Sequence, residues 1–272
     1  MSWRNSVNQT VGVARIGDIN NYVCVEPAGQ SAPIDVFYGS SQDLLRVGTP
    51  GFLTANPTTG PLLVVGLVSA TENYFRDVFA RIIQLCPIAK AAAADQSIQL
   101  GSVVWHAGTA VERGAFDHIS FADVDKVVSS SKKFTGYQVQ KSGILKEFEK
   151  VCELRHSIVH SGAVIAGKNA LRLQLPSARG TLRVKVGFDQ LQEVGDVCTT
   201  LVASVNTELF NEMARRWAIE WPKLPSWNSG QRHSLFKAIW EIFYSTRDAT
   251  NGSIPTKLSL MKAKNRVATE LS

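Results

Sequence analysis

Apolar side chains recur every three to four positions in the middle of the chain, which is the spacing of an amphipathic helix. One such pattern follows Pro61, a residue suited to a first helical turn, and it ends at Cys86-Pro87. A second pattern begins at Gln138 and ends near Ser161, with charged residues on the opposite face. Both segments are expected to be long helices. Their apolar positions are Leu67, Tyr74, Phe75, Val78, Phe79, Ile82 and Ile83 in the first, and Ile144, Leu145, Phe148, Val151, Cys152, Ile158 and Val159 in the second.

Helix-capping signals indicate further helices. The sequence Ser120-Phe121-Ala122-Asp123 resembles a capping box and predicts a short helix through Val128. Asp189 and Gln192 predict the N-terminal cap of a long helix that reaches Trp217. A loop rich in Pro and Gly then precedes a short aromatic helix at 235–243, which must pack on the body or on a second subunit to avoid a large exposed apolar patch.

Alternation of apolar and other residues, which is typical of β-strands, occurs in two places. Residues 1–60 are rich in Gly, Pro, Asn and Thr and contain the alternating Ile34, Val36 and Tyr38. Residues 171–175 and 182–188 alternate on either side of a Pro-Ser-Ala-Arg-Gly turn, which predicts a β-hairpin. The predicted fold is therefore mainly α. It comprises a small β-containing N-terminal segment (1–60), an antiparallel helical bundle with a β-hairpin insertion (61–222), and an aromatic helix with a basic tail (223–272).

Composition is that of an ordinary globular protein, with 272 residues of which 44% are hydrophobic and 19% charged. The four cysteines are far apart and form no Cys-x-x-Cys pair, so neither a zinc ribbon nor a disulfide framework is indicated. The N-terminal residues lack the apolar core of a signal peptide, and the longest apolar run, 62–68, is too short to span a bilayer. We therefore expect a cytoplasmic protein that makes no membrane contact.

Net charge is +6, a moderate basic excess that suits a polyanionic partner. Residues 231–272 contain seven basic and three acidic side chains, so much of the excess lies in this tail. The tail is either an ordinary solvated surface or an arm that contacts phosphates.

One turn of the second helix combines three side chains that can carry chemistry. At about 100° per residue, Arg155 falls near the centre of the apolar face, whereas His156 and His160 lie together along its edge. A guanidinium is costly to bury unpaired, so Arg155 needs either a carboxylate in the core, with Glu72 as a candidate, or an anion in a cleft. Glu72 is also spaced to form an ion pair with Arg76, four residues later on the first helix.

The segment Arg155-His156-Ser157-Ile158-Val159-His160 resembles the Arg-x4-His motif of HEPN ribonucleases (higher eukaryotes and prokaryotes nucleotide-binding). The resemblance extends over about 62–220: a long first helix, a motif-bearing helix, a following loop and hairpin, and a final long helix. It implies a HEPN-like helical bundle that forms a homodimer, with two copies of the motif facing each other across a cleft. Catalytic roles then fall to Arg155, His156 and His160, while Glu72, Arg76 and Ser157 support the site.

The chemistry of that family suits these residue types. Cleavage of RNA without a metal needs a base to activate the 2′-hydroxyl, an acid for the 5′-oxygen and a cation for the phosphorane. Histidine, whose ordinary pKa is about 6.5, can be the base or the acid, and arginine can clamp the phosphate. This interpretation makes His160 the principal acid/base, Arg155 the clamp, and His156 an orienting group or second proton carrier. No cofactor or metal is expected.

Three functions remain open on the sequence alone. The first is an endoribonuclease that leaves 2′,3′-cyclic phosphate and 5′-hydroxyl ends, with RNA as substrate and a role in toxin–antitoxin or antiviral defence systems suggested by the resemblance. The second is a non-catalytic HEPN-like module that binds nucleotides, RNA or a partner. The third is a regulatory helical subunit whose aromatic C-terminal helix docks on a neighbouring protein such as an antitoxin or a nucleotidyltransferase.

Overall fold

A computed structural model describes residues 14–24, 31–105, 111–139, 143–177 and 179–271. The chain divides into two units, residues 1–30 and residues 31–272. In the first unit, the described residues contain a 3-10 turn at Ile19–Tyr22, which begins where the Asp18 side chain accepts a hydrogen bond from the backbone N–H of Asn20. Its described side chains are exposed.

The second unit is built from helices. Its described residues form thirteen α-helices: α1 Pro33–Val47, α2 Pro50–Ala55, α3 Thr59–Leu85, α4 Pro87–Ala92, α5 Leu100–Trp105, α6 Val111–Gly114, α7 Val124–Thr135, α8 Ile144–Ser161, α9 Gly167–Arg172, α10 Phe188–Arg215, α11 Arg232–Phe243, α12 Thr246–Asn251 and α13 Leu260–Glu270. A π-helical turn, Arg216–Glu220, and a 3-10 turn, Trp221–Lys223, continue α10. The prediction of a mainly α fold is confirmed.

Helix α3 is the centre of the second unit. It packs against α1, α8 and α10, and also against α4, α6, α7 and α11. Apolar residues are buried on most of its faces, which is the pattern of a helix surrounded by other helices. One part of the core is a cluster of neighbouring aromatic rings with centroids 5.5–6.1 Å apart, formed by Phe75, Phe79, Phe116, Phe121 and Phe134.

The predicted β-hairpin is wrong. Its first half, 171–175, overlaps the end of α9, and the only β-pairing among the described residues is a single bridge between Val164 and Arg183. Leu171 is 80% exposed, so the alternating leucines there have no sheet to cover. In the second half the alternation does separate buried Val184 and Val186 from exposed side chains. The segment beside it is residues 163–165, and the pairing is limited to the one bridge and does not extend into a strand.

The predicted β-segment near residue 34 is also wrong, because these residues begin α1. Pro33 occupies the first helical turn, where its missing N–H costs nothing. Ile34, Phe37 and Ser41 are then buried on one face at helical spacing. The alternation of Ile34, Val36 and Tyr38 is too short to distinguish a strand from the first turns of a helix.

Two helix starts differ from the caps expected in the sequence. The N-cap of α7 is Asp123, whose side chain accepts from the N–H of Asp125, while the Ser120 hydroxyl donates to Glu72 instead. Helix α10 starts after Gly187, whose N–H donates to the side chain of Gln190. The aromatic α11 packs on α10 and α3.

Candidate active site

Helix α8 carries the three candidate catalytic side chains on its last two turns. Leu145, Phe148 and Ile158 face the core and fix the rotation of the helix. His156 and His160 are exposed one turn apart, with ring centroids 4.5 Å from each other. Gly162 ends the helix in the left-handed conformation, with φ of 56°. The histidine-bearing turn is therefore at the surface and not inside the core.

Arg155 lies between the core and the surface, with 23% of its side chain exposed. Its Nη2 is 3.9 Å from Oε2 of Glu72, a residue of α3 whose side chain is buried. This distance allows an ion pair but is too long for a hydrogen bond. The carboxylate therefore attracts the guanidinium electrostatically while leaving its hydrogen-bond donors toward the surface free for an anion.

A polar network holds Glu72 in place. Its Oε1 accepts from Nη2 of Arg76 at 3.3 Å and from the hydroxyl of Ser120 at 2.9 Å. Arg76 also donates to the backbone carbonyl of Ile119 at 3.0 Å. The predicted ion pair between Glu72 and Arg76 is thus present. It belongs to a partly buried network that connects α3, the segment before α7, and the candidate clamp on α8.

Ser157 has a different place from the residues around it. It is fully buried, its hydroxyl donates to the backbone carbonyl of Glu153 at 3.1 Å, and it accepts from Nδ2 of Asn169 at 2.9 Å. Asn169, on α9, is also buried. Ser157 therefore supports the site by fastening α9 to the motif helix and has no access to a substrate.

Arg155, His156 and His160 all face one cleft of about 710 Å³ between the start of α7, α8 and α9. That volume is within the usual range for ligand sites. Its charged lining is balanced, with four basic and four acidic side chains in addition to the histidines: Lys146, Arg155, Lys168 and Arg172 against Asp123, Asp125, Glu149 and Glu153. The cleft as a whole is therefore not a strongly positive surface, and an anion in it must be bound by particular side chains.

Cys152 also lines this cleft, but its chemistry is suppressed. Burial raises the pKa of its thiol well above the ordinary value, and the raised pKa leaves almost no thiolate at neutral pH. Cys152 therefore acts as a packing residue. Within the described residues, no group of three or more His, Cys, Asp and Glu side chains converges as metal ligands do.

Several residues at the site carry no signal in the sequence. Ser120, Asn169 and Lys168 reach the cleft or its support from segments whose periodicity is weak. The sequence pattern predicts that Ser120 is part of a helix cap, and it contains nothing that points to Asn169. Only the capping pattern at Ser120 marked either position, and it indicated a local structure and not contact with Glu72.

Comparisons with models of protein families, with curated proteins and with solved structures find no match for this chain. No helix in the described ranges combines the length and the hydropathy needed to cross a membrane.

Proposed function

We propose that this protein is a metal-independent endoribonuclease of the HEPN type. The observation that carries the proposal is the convergence of Arg155, His156 and His160 on one open cleft, with both imidazoles exposed. A permanent cation beside two imidazoles, side chains that can act as acid or base, is the set that cleavage by the 2′-hydroxyl requires. The Arg-x4-His spacing supports the same reading.

His160 is proposed to be the principal acid/base and His156 the second proton carrier or an orienting group. Among the described residues neither ring has a hydrogen-bonding partner, so the nitrogens of both are available to a substrate. As base, one imidazole takes the proton of the 2′-hydroxyl while that oxygen attacks the adjacent phosphorus. As acid, an imidazolium gives a proton to the departing 5′-oxygen. The products are a 2′,3′-cyclic phosphate and a 5′-hydroxyl.

Arg155 is proposed to stabilise the negative charge that develops on the phosphorane. A guanidinium stays protonated and presents paired donors that match two phosphate oxygens. The carboxylate of Glu72 lies 3.9 Å from Nη2 of Arg155 and attracts it. Arg76 and Ser120 donate hydrogen bonds to Glu72 and keep it in position. This arrangement supplies the orientation that a clamp needs without occupying the face of the guanidinium that meets the substrate.

A homodimer is part of the proposal, with two copies of the cleft facing each other. The HEPN resemblance motivates it, and so does Val159, which is 46% exposed on the motif helix next to the histidines. An exposed apolar side chain at this place suits a subunit contact. A role as a toxin or antiviral effector, held in check by an antitoxin or another regulatory protein, is likewise proposed from the resemblance.

The test is cleavage of a labelled RNA in EDTA by the wild type, His160→Ala and Arg155→Ala, with analysis of the product ends. We expect cyclic phosphate ends from the wild type, and a loss of rate of about 10²–10⁴-fold when the acid/base is removed. A substrate with a single 2′-deoxy nucleotide at the cleaved position should be inert. His233→Ala is the matched control, because this histidine is exposed on α11 and does not line the cleft.

Equal cleavage by all four proteins would identify a contaminating nuclease and leave the non-catalytic binding module as the better reading. In cells, toxicity of the wild type that His160→Ala abolishes would support the effector role. A protein that stays monomeric at micromolar concentration would contradict the shared cleft.

A further inference from the structure

A stretch of sequence rich in basic residues directly follows the motif helix α8. Residues 163–187 contain five basic side chains and no Asp or Glu, a net charge of +5 compared with +6 for the whole chain. All five are exposed, and they are Lys168, Arg172, Arg179, Arg183 and Lys185. We call residues 163–187 the basic segment. Outside the cleft, where Arg172 pairs with Glu153 of α8, no acidic side chain of the segment itself offsets these charges, and exposed cations of this kind attract polyanions.

Two described stretches of the basic segment, 163–165 and 182–184, are hydrogen-bonded to each other and to the end of the motif helix. The N–H of Val184 donates to the carbonyl of Ala163 at 2.8 Å, and the N–H of Ile165 donates to the carbonyl of Leu182 at 2.9 Å. Arg183 donates to the carbonyl of Gly162, the residue that caps α8, at 3.2 Å. The backbone that carries Arg183 and Lys185 is therefore fastened next to the end of the helix that carries His160.

The basic segment begins in the cleft and extends beyond it. Lys168 and Arg172 on α9 line the cleft itself, and Arg172 forms an ion pair with Glu153 of α8. Farther along, Arg183 and Lys185 point to solvent while Val184 and Val186 point to the core. Extended backbone separates alternate residues by about 7 Å, so these two charges form a short row on one face.

We propose that the basic segment binds the phosphates of single-stranded RNA next to the cleaved linkage and supplies most of the affinity for the substrate. The proposal rests on the proposed function for the identity of the polymer. The cleft, whose charged residues are balanced, offers one proposed phosphate clamp, Arg155, whereas a polynucleotide carries a negative charge on every phosphate. A row of exposed cations beside the clamp can contact several of these charges at once.

Binding is measured apart from cleavage, with the full chain and a fluorescein-labelled single-stranded RNA whose 2′-hydroxyls are methylated. Without free 2′-hydroxyls the proposed reaction cannot start, so fluorescence anisotropy reports affinity alone. The test variant is Arg179→Gln/Lys185→Gln, because both side chains are exposed and neither lines the cleft. The control is Lys90→Gln/Lys132→Gln, which removes the same charge from exposed positions on α4 and α7 that neither line the cleft nor belong to the C-terminal tail.

For single strands the logarithm of the affinity falls with the logarithm of the salt concentration by about 0.7 per phosphate contact, so the test variant should lower the slope by about 1.4. Because 0.1 M and 1 M salt differ by one factor of ten, a slope lower by about 1.4 means that the affinity of the test variant gains about 25-fold less than that of the wild type when the salt is reduced from 1 M to 0.1 M. The control should change neither the slope nor the affinity by a comparable amount.

Equal weakening by the test and control variants would overturn the proposal, because the effect would then be one of net charge. It would also be overturned if the wild type did not bind the oligonucleotide at low salt, and the basic segment would then be a surface for an acidic protein partner. Wild-type cleavage of RNA with unaltered binding by the test variant would reject this inference and leave the ribonuclease standing. Binding through the basic segment without any cleavage would reject the ribonuclease and leave this inference standing.

Discussion

Glu72 is the residue on which the position of Arg155 depends. It is a buried carboxylate that accepts from Arg76 and Ser120 and lies 3.9 Å from the guanidinium of Arg155. Removing its charge leaves two partly buried cations without their shared partner, which is more costly than losing an exposed pair.

We therefore expect Glu72→Gln to lower the free energy of unfolding by about 2–4 kcal/mol and to reduce the rate of RNA cleavage. The first effect is measured by urea denaturation, the second by the EDTA assay. Glu147→Gln is the matched control, because Glu147 forms an exposed pair with Lys150 on α8 and should cost less than about 1 kcal/mol. Equal destabilisation by both variants would show that the Glu72 network contributes no more to stability than an exposed ion pair.

Gly162 and Ala163 end the motif helix with two consecutive left-handed residues, at φ of 56° and 67°. This conformation costs a residue with a Cβ about 1–2 kcal/mol, whereas glycine adopts it freely. A Cβ on Gly162 would meet nothing within 4 Å, so backbone conformation alone determines the effect of a substitution there.

We expect Gly162→Ala to destabilise the protein by about 1–2 kcal/mol and Ala163→Gly to stabilise it by less than about 1 kcal/mol, since glycine gains freedom when unfolded. Thermal denaturation measures both. Gly167→Ala, the same substitution in α9 where a Cβ also meets nothing, should be neutral or stabilising. A destabilising Gly167→Ala of the same size as Gly162→Ala would contradict the argument from φ.

At the scale of elements, the carboxylate of Asp35 connects helix α1 to the start of helix α12. Asp35 is buried and accepts from the hydroxyl of Ser245 at 2.6 Å and from both the N–H and the hydroxyl of Thr246. Hydrogen bonds to a charged group are stronger than neutral ones, and donors left unsatisfied in the core are costly.

Asp35→Ala should therefore lower the free energy of unfolding by about 2–4 kcal/mol, measured by urea denaturation. Asp43→Ala on the same helix is the control, because the side chain of Asp43 is 78% exposed and its pairing with Arg46 is weak. We also expect hydrogen exchange in α12 to accelerate in the Asp35 variant and not in the control, since the loss is local to that contact. Unchanged exchange in α12 would show that other contacts hold it.

The helices with strong periodicity were predictable, and the short alternating segments were not. Residues 61–85 and 144–161 repeat their apolar positions over many turns, which admits only a helical interpretation. The alternation at 182–188 predicts which side chains are buried but not whether a second strand is present. Pairing depends on long-range contacts, and here residues 171–172 of the predicted first strand belong to α9 instead.

The candidate site was predictable to the extent that it lies on one helix. Spacing alone places His156 and His160 one turn apart. The counter-ion of Arg155 was one of two possibilities, and the choice depends on how α3 and α8 pack. The contributions of Ser120 and Asn169 were not predictable, because each comes from a loop or a short helix positioned by the core.

At the scale of the whole molecule, buried thiols in the core make the stability of the protein depend on pH. Burial raises the pKa of Cys198 to about 11 and that of Cys152 further, whereas an unfolded thiol ionises near pH 8.5. Above that pH the unfolded chain has lost protons that the folded chain retains. Stability therefore falls as the pH rises, and the contribution of each thiol is fully present only below about pH 8.5.

Between pH 8.5 and 10 we expect the free energy of unfolding to decrease by up to about 1.4 kcal/mol per pH unit for each of the two thiols. Urea denaturation at several pH values measures this slope. Cys152→Ala/Cys198→Ala should flatten it, whatever its effect on stability at neutral pH, because the unfolded chain then has two fewer groups to ionise. Cys24→Ser, at an exposed position in the first unit, should leave the slope as it is. A wild-type slope that survives the double substitution would show that groups other than these thiols make the core sensitive to alkali.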